Sequence, residues 1–190
     1  LRREPVLLAN TLQAVVGQMT IGATIALAPL YAKVVLRLDS LDWTAAYAFL
    51  ETGIGVGNLV GGFVIGLLGA RIAKGRMVIG GYAAYGLAVV GMGLTNNLSL
   101  ALGLAFAMGV SNMVFIIPTQ TLFQERTPGD MIGRVVGFRF SAVFGAMTFA
   151  MAASGVLGDA AGVGPVLVVF GVITVAAGLA GLASQPLRDA

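Results

Sequence analysis

Six long apolar stretches fill nearly the whole chain, and a chain of that pattern folds only where a lipid bilayer is its solvent. They run over Val6–Ala32, Trp43–Ala70, Met77–Leu94, Leu98–Phe123, Val135–Gly158 and Val163–Ala183. Each approaches or exceeds the roughly 20 apolar residues that span a bilayer. Hydrocarbon offers no partner to a backbone N–H or C=O, so segments of this length pair their own backbone as α-helices. The expectation is an all-α membrane protein in which residues 1–190 form one six-helix transmembrane domain.

The basic residues between the stretches set an orientation, because Lys and Arg stay on the cytoplasmic side during insertion. Arg2, Arg3, Arg71, Lys74, Arg76, Arg126, Arg134, Arg139 and Arg188 fall on one side of the weave, and only Lys33 and Arg37 on the other. An even number of spans returns both termini to the same face. That face is therefore expected to be cytoplasmic, in a bacterial plasma (inner) membrane.

With 58% hydrophobic and 10% charged residues, the chain is far more apolar than a soluble domain, where charged residues are about 25%. The net charge of +3 is explained by the inside-positive loops and their contact with anionic lipid heads, which leaves no basic excess for nucleic acid. The absence of Cys and His removes thiolate ligands, thiol nucleophiles and the commonest general base and metal ligand. No cofactor or metal site is expected, and no enzyme. A serine protease of intramembrane type lacks its histidine, and an aspartyl type lacks aspartates within spans, since Asp39, Asp42, Asp130, Asp159 and Asp189 sit at edges. The chain starts at Leu1 without a signal-peptide pattern, and we expect it to be a piece of a longer protein.

Polar residues inside the spans carry the functional argument. In the first span Asn10, Gln13, Gly17, Thr20 and Thr24 recur at spacings of three and four, so they share one helix face. Unpaired polar groups in hydrocarbon are costly, so this face should meet other helices or a wet cavity. The second span carries Gly53, Gly57 and Gly61 on one side and Gly55, Gly62, Gly66 and Gly69 on another, which suits close approach by two helices. Glu51 and Asn58 lie nearly in line on the second of these sides. Glu51 is about 12 Å below the Trp43 interface at 1.5 Å per residue, a depth at which a charge is costly without a partner. The fourth span contributes Asn112 and Thr119 on a shared face. In the fifth, Arg139 stands one turn inside the boundary, where a long side chain can snorkel to the lipid heads.

Pro29 and Pro118 fall at similar depths of the first and fourth spans. Three spans followed by three make an odd-numbered unit, whose second copy is inserted upside down, as in transporters built from inverted repeats.

At these residues the chain resembles the carboxy-terminal six-helix half of the major facilitator superfamily. The likeness covers nearly the whole chain and is carried by Pro29-Leu30-Tyr31, by the glycine-rich second span, and by the turn from Gly66 to Arg76. The stretch Gln124, Glu125, Pro128, Gly133, Arg134 and Val135 is similar to the loop between that family's tenth and eleventh helices. The chain departs from the loop motif at Ala70, where the family's stronger copy has an acidic residue. In flavour it resembles the branch of siderophore and macrolide exporters. The resemblance implies two inverted three-helix repeats, half of a twelve-helix transporter working by alternating access, whose partner would be a missing amino-terminal six-helix half.

The expected roles follow. Asn10, Gln13, Thr20, Thr24, Asn58, Asn112 and Thr119 are candidate cavity residues for a small amphipathic substrate, the alternative being polar glue between helices. Glu51 is the candidate for proton coupling, against a structural hydrogen-bonded glutamate. Arg71, Arg76, Glu125, Arg126, Asp130 and Arg134 are candidates for a cytoplasmic gate, against plain inside-positive anchors. The partners are the substrate, protons and the lipid bilayer. Two rival readings remain: the membrane domain of an ATP-driven exporter, against which the short loops count, and a helical scaffold without transport.

Overall fold

The computed structural model describes residues 5–36, 41–69, 71–127 and 132–183. Among them are six helices long and apolar enough to cross a membrane and no strand. They are α1 (Pro5–Leu30), α2 (Trp43–Leu68), α3 (Lys74–Leu94), α4 (Leu98–Arg126), α5 (Ile132–Ala161) and α6 (Val163–Ala183). Helices of this length and apolarity make the chain an integral membrane protein. The ends lie within a few residues of the hydropathy boundaries; α3 starts earlier, at Lys74, and α5 is longer at both ends than its apolar stretch.

Helix ends follow local chemistry. Pro29 lies inside α1 and has no N–H for the carbonyl four residues back. The chain then continues from Tyr31 to Val35 in π-helical geometry, a common way to absorb such a break. The Tyr31 hydroxyl donates to the Thr95 carbonyl at 2.8 Å, tying this segment to the α3–α4 turn. Asn97 caps α4 by accepting from the Leu100 N–H at 3.0 Å. A single residue, Gly162, links α5 to α6. Its φ of +88° is a conformation that only glycine adopts without strain.

Five pairings hold the bundle together: α3 with α6, α2 with α4, α1 with α5, α3 with α4, and α1 with α6. The tightest approaches are at glycine. Gly86 faces Gly171 and Gly93 faces Gly164 across the α3–α6 seam, where a Cβ on any of the four would come within 2.6–2.7 Å of the opposing carbonyl oxygen. Gly57 and Gly109 make the corresponding contact between α2 and α4, and Gly22 lies against the Met147 backbone between α1 and α5. Small residues let helix backbones touch, which is how helices associate where lipid removes the hydrophobic drive. The first glycine side of α2 thus packs as the sequence suggests. The second does not: a Cβ at Gly55, Gly62 or Gly66 would meet nothing within 4 Å.

Burial is uneven. In α3, 56% of the spanning residues are buried, against 17% in α2 and in α5. The buried core joins Leu27, Tyr31, Leu50, Tyr82, Met108 and Leu167. The exposed side chains of α2 and α5 include Leu59, Phe63, Phe138, Phe149 and Val156.

Candidate functional site

The polar stripe of α1 is divided among different neighbours. Helices cross at an angle, so a straight stripe meets more than one helix along its length. Near the start of α1, Asn10 donates through Nδ2 to the Thr119 carbonyl of α4 at 3.4 Å. One turn on, Gln13 donates through Nε2 to the Ala177 carbonyl of α6 at 2.9 Å. Thr20 also turns to α6: its hydroxyl and that of Thr174 are 2.5 Å apart, and it reaches the Phe170 carbonyl at 3.2 Å. Gly17 leaves room for the Tyr82 ring, which a Cβ there would strike. Through these bonds Asn10, Gln13 and Thr20 join α1 to α4 and α6.

Thr24 is different. It lines a cavity of about 200 Å³ together with Ile21 and Ile25 of α1. Glu51, Ile54 and Asn58 of α2, Tyr85 of α3, and Met108 and Asn112 of α4 complete the wall. The structure therefore brings together four of the residues singled out in the sequence, Thr24, Glu51, Asn58 and Asn112. Asn10, Gln13, Thr20 and Thr119 lie outside this cavity.

Each polar group in the cavity has a geometric reason to be there. Glu51 and Asn58 are seven residues apart on α2, hence on one face. Close contact at Gly57 and Gly109 brings α2 against α4, so that Asn112 Nδ2 donates to Asn58 Oδ1 at 3.1 Å. That bond uses one end of each amide and leaves the buried Asn112 Oδ1 without a partner. Thr24 gives its own proton to the Thr20 carbonyl at 2.8 Å and interacts with the Tyr85 side chain. Glu51 is exposed at the rim and has no described hydrogen-bond or ionic partner. It acts electrostatically on Tyr85 across the cavity.

The cavity thus offers a free carboxylate and an unused amide oxygen, both acceptors, among apolar walls. Such a surface receives a proton, a cation or a ligand donor. Tyr85, absent from the sequence-based set, carries a signal that spacing does not reveal, since α3 shows no polar stripe. No group of three or more His, Cys, Asp or Glu that would hold a metal ion occurs among the described residues.

At the opposite end of α4, Glu125 is held by Lys74 of α3 at 2.6 Å. This ion pair is exposed and contributes at most about 1 kcal/mol. Lys74 was not among the expected gate residues. Arg71 and Arg76 are exposed, and the Arg126 and Arg134 side chains and Asp130 lie outside the described residues. Arg139 does not snorkel. Its side chain turns into the bundle and is only 5% exposed, because Gln120 Oε1 accepts from its Nη1 at 2.9 Å and the Phe123 ring lies 4.3 Å from its guanidinium carbon.

No family model, curated protein or solved structure matches the chain.

Proposed function

We propose that the chain is the carboxy-terminal six-helix half of a secondary transporter of major facilitator type, exporting small amphipathic molecules in exchange for protons. The observation that carries this reading is the cavity between α1, α2, α3 and α4, with Glu51 at its rim and Asn112 Oδ1 unpaired inside. Intramembrane acids are costly and mark ion or substrate paths. Ionised Glu51 engages a donor or cationic group of the substrate. A proton arriving from the outer side neutralises it and releases that group, so proton entry and substrate exit are coupled.

Two features of the fold support the reading. Exchanging α1 with α4, α2 with α5 and α3 with α6 carries the α2–α4 pairing onto α5–α1 and α3–α4 onto α6–α1, and it leaves the α3–α6 seam in place. Two inverted three-helix repeats require that permutation, and the helices bearing Pro29 and Pro118 are exchanged by it. In addition, α2 and α5 leave broad apolar faces without a neighbour, which a second six-helix half would cover. The distribution of basic residues supports placing both termini in the cytoplasm of a bacterium, with the domain in its inner membrane.

The test is reconstitution in proteoliposomes. Paired with a second six-helix half the chain carries out proton-driven efflux, and alone it transports nothing, since the path loses one wall. In the paired protein Glu51→Gln abolishes the dependence on a proton gradient; unchanged proton-driven transport removes Glu51 from the mechanism.

A further inference from the structure

Arg139 is a full charge buried inside the bundle, and among the described residues no opposite charge meets it. It stands eight residues into α5 and is only 5% exposed. Its one described hydrogen bond goes to the neutral Gln120, and its Nε has no partner. A guanidinium presents five N–H donors in a planar fork that matches an oxyanion, so most of its capacity is unspent. Arginine inside a membrane normally pairs with an acid or with backbone carbonyls. Here no described carboxylate pairs with Arg139.

The same region holds two more buried atoms without a partner in hydrogen-bond geometry, Thr119 Oγ1 of α4 and Asn10 Oδ1 of α1. They belong to one cluster, because Asn10 Nδ2 donates to the Thr119 carbonyl and Gln120, the residue after Thr119, accepts from Arg139. Three helices, α1, α4 and α5, therefore send polar groups to one place. The walls are aromatic: Phe123 lies over the guanidinium, and Tyr82 stacks on Phe115 with centroids 4.2 Å apart.

We infer that this cluster binds an oxyanion, a carboxylate, sulfonate or phosphate, carried on an apolar body, with Arg139 as the group that takes the charge. The Thr119 hydroxyl adds a donor beside it, and Asn10 Oδ1 accepts from a ligand hydroxyl. The cluster is buried in this state, and a ligand reaches it when α5 moves during alternating access. The inference rests on the transporter reading in that one respect and adds an anionic group to its amphipathic substrate, apart from the donor or cationic group that meets Glu51. An oxyanion of the same chemistry is also supplied by the head group of an anionic lipid.

Binding, not transport, is the readout, so failure here is separate from failure of the transporter reading. The chain is placed in phosphatidylcholine nanodiscs, and radiolabelled octanoate is measured against octanamide by equilibrium dialysis. Octanoate is expected to bind more tightly than octanamide by about tenfold, the effect of one charge-assisted interaction. Arg139→Gln removes that preference, Arg139→Lys keeps part of it, and octanamide binding is the same in all three. Because Arg139→Gln could disturb packing, Thr119→Val is a second variant, expected to weaken octanoate alone. Replacing part of the lipid by phosphatidylglycerol identifies the source. Loss of octanoate binding in those discs, with thermal stabilisation that depends on Arg139, assigns the site to the lipid head group. Octanoate binding that persists assigns it to a solute. Equal affinity for octanoate and octanamide in both lipids, or a preference unchanged by Arg139→Gln, overturns the inference, and the unpaired charge is then met by an acid from another polypeptide.

Discussion

Gly86 and Gly62 are both helical glycines in apolar spans, yet a Cβ on the first would strike a carbonyl of α6 and on the second would meet open space. A glycine costs a helix about 1 kcal/mol relative to alanine. In the α3–α6 seam that cost is offset by backbone contact repeated at Gly93 and Gly164. On the outer faces of α2 and α5 nothing among the described residues offsets it: Gly55, Gly62, Gly137, Gly145 and Gly155 are all open. The same residue type therefore marks a finished contact in one region and an unfinished one in the other. The unfinished side is the one that the proposed transporter would close with its second half.

The largest effect is expected at the seam. Gly86→Leu or Gly171→Leu forces α3 and α6 apart and should cost about 3 kcal/mol, at the upper end for overpacking, read from reversible unfolding in mixed micelles. Near-normal stability would show that the seam does not close-pack. A sharper comparison lies within α2 itself. Gly57→Leu pushes against Phe106 and Gly109 of α4 and should cost about 2 kcal/mol, whereas Gly62→Leu stays within about 0.5 kcal/mol, as surface changes do. Equal losses at the two positions would erase the distinction between the faces. The smallest effect has the opposite sign. Gly62→Ala should stabilise the isolated chain by about 0.5 kcal/mol through helix propensity alone, and a loss instead would mean that another helix already covers that face.

The spans were legible because hydropathy is a property of each segment alone, and the boundaries moved by only a few residues. Neighbour choice was not legible in this way. The glycines of α3 and α6 recur at sevens, at 86 and 93 and at 164, 171 and 178, a pattern visible in the sequence that does not name the helix it meets. The Asn58–Asn112 bond joins residues 54 apart in sequence, and no spacing within one helix encodes it. The α1 stripe was correctly seen as turned away from lipid, since Asn10, Gln13, Thr20 and Thr24 are all buried, yet only Thr24 reaches the cavity. Arg139 misled for a related reason. Its distance from the helix end permitted snorkelling, and only the position of Gln120 and Phe123 on α4 turns it inward.

Gly162 leaves α5 and α6 a tether of one residue, so their adjoining ends stay within roughly 7–8 Å of each other, two steps of the backbone. Because α6 is clamped to α3 at Gly86, Gly93, Gly164 and Gly171, that end of α5 has a fixed anchorage. Any displacement of α5 is then a pivot about Gly162, smallest beside it and widest at the far end, where Arg139 sits.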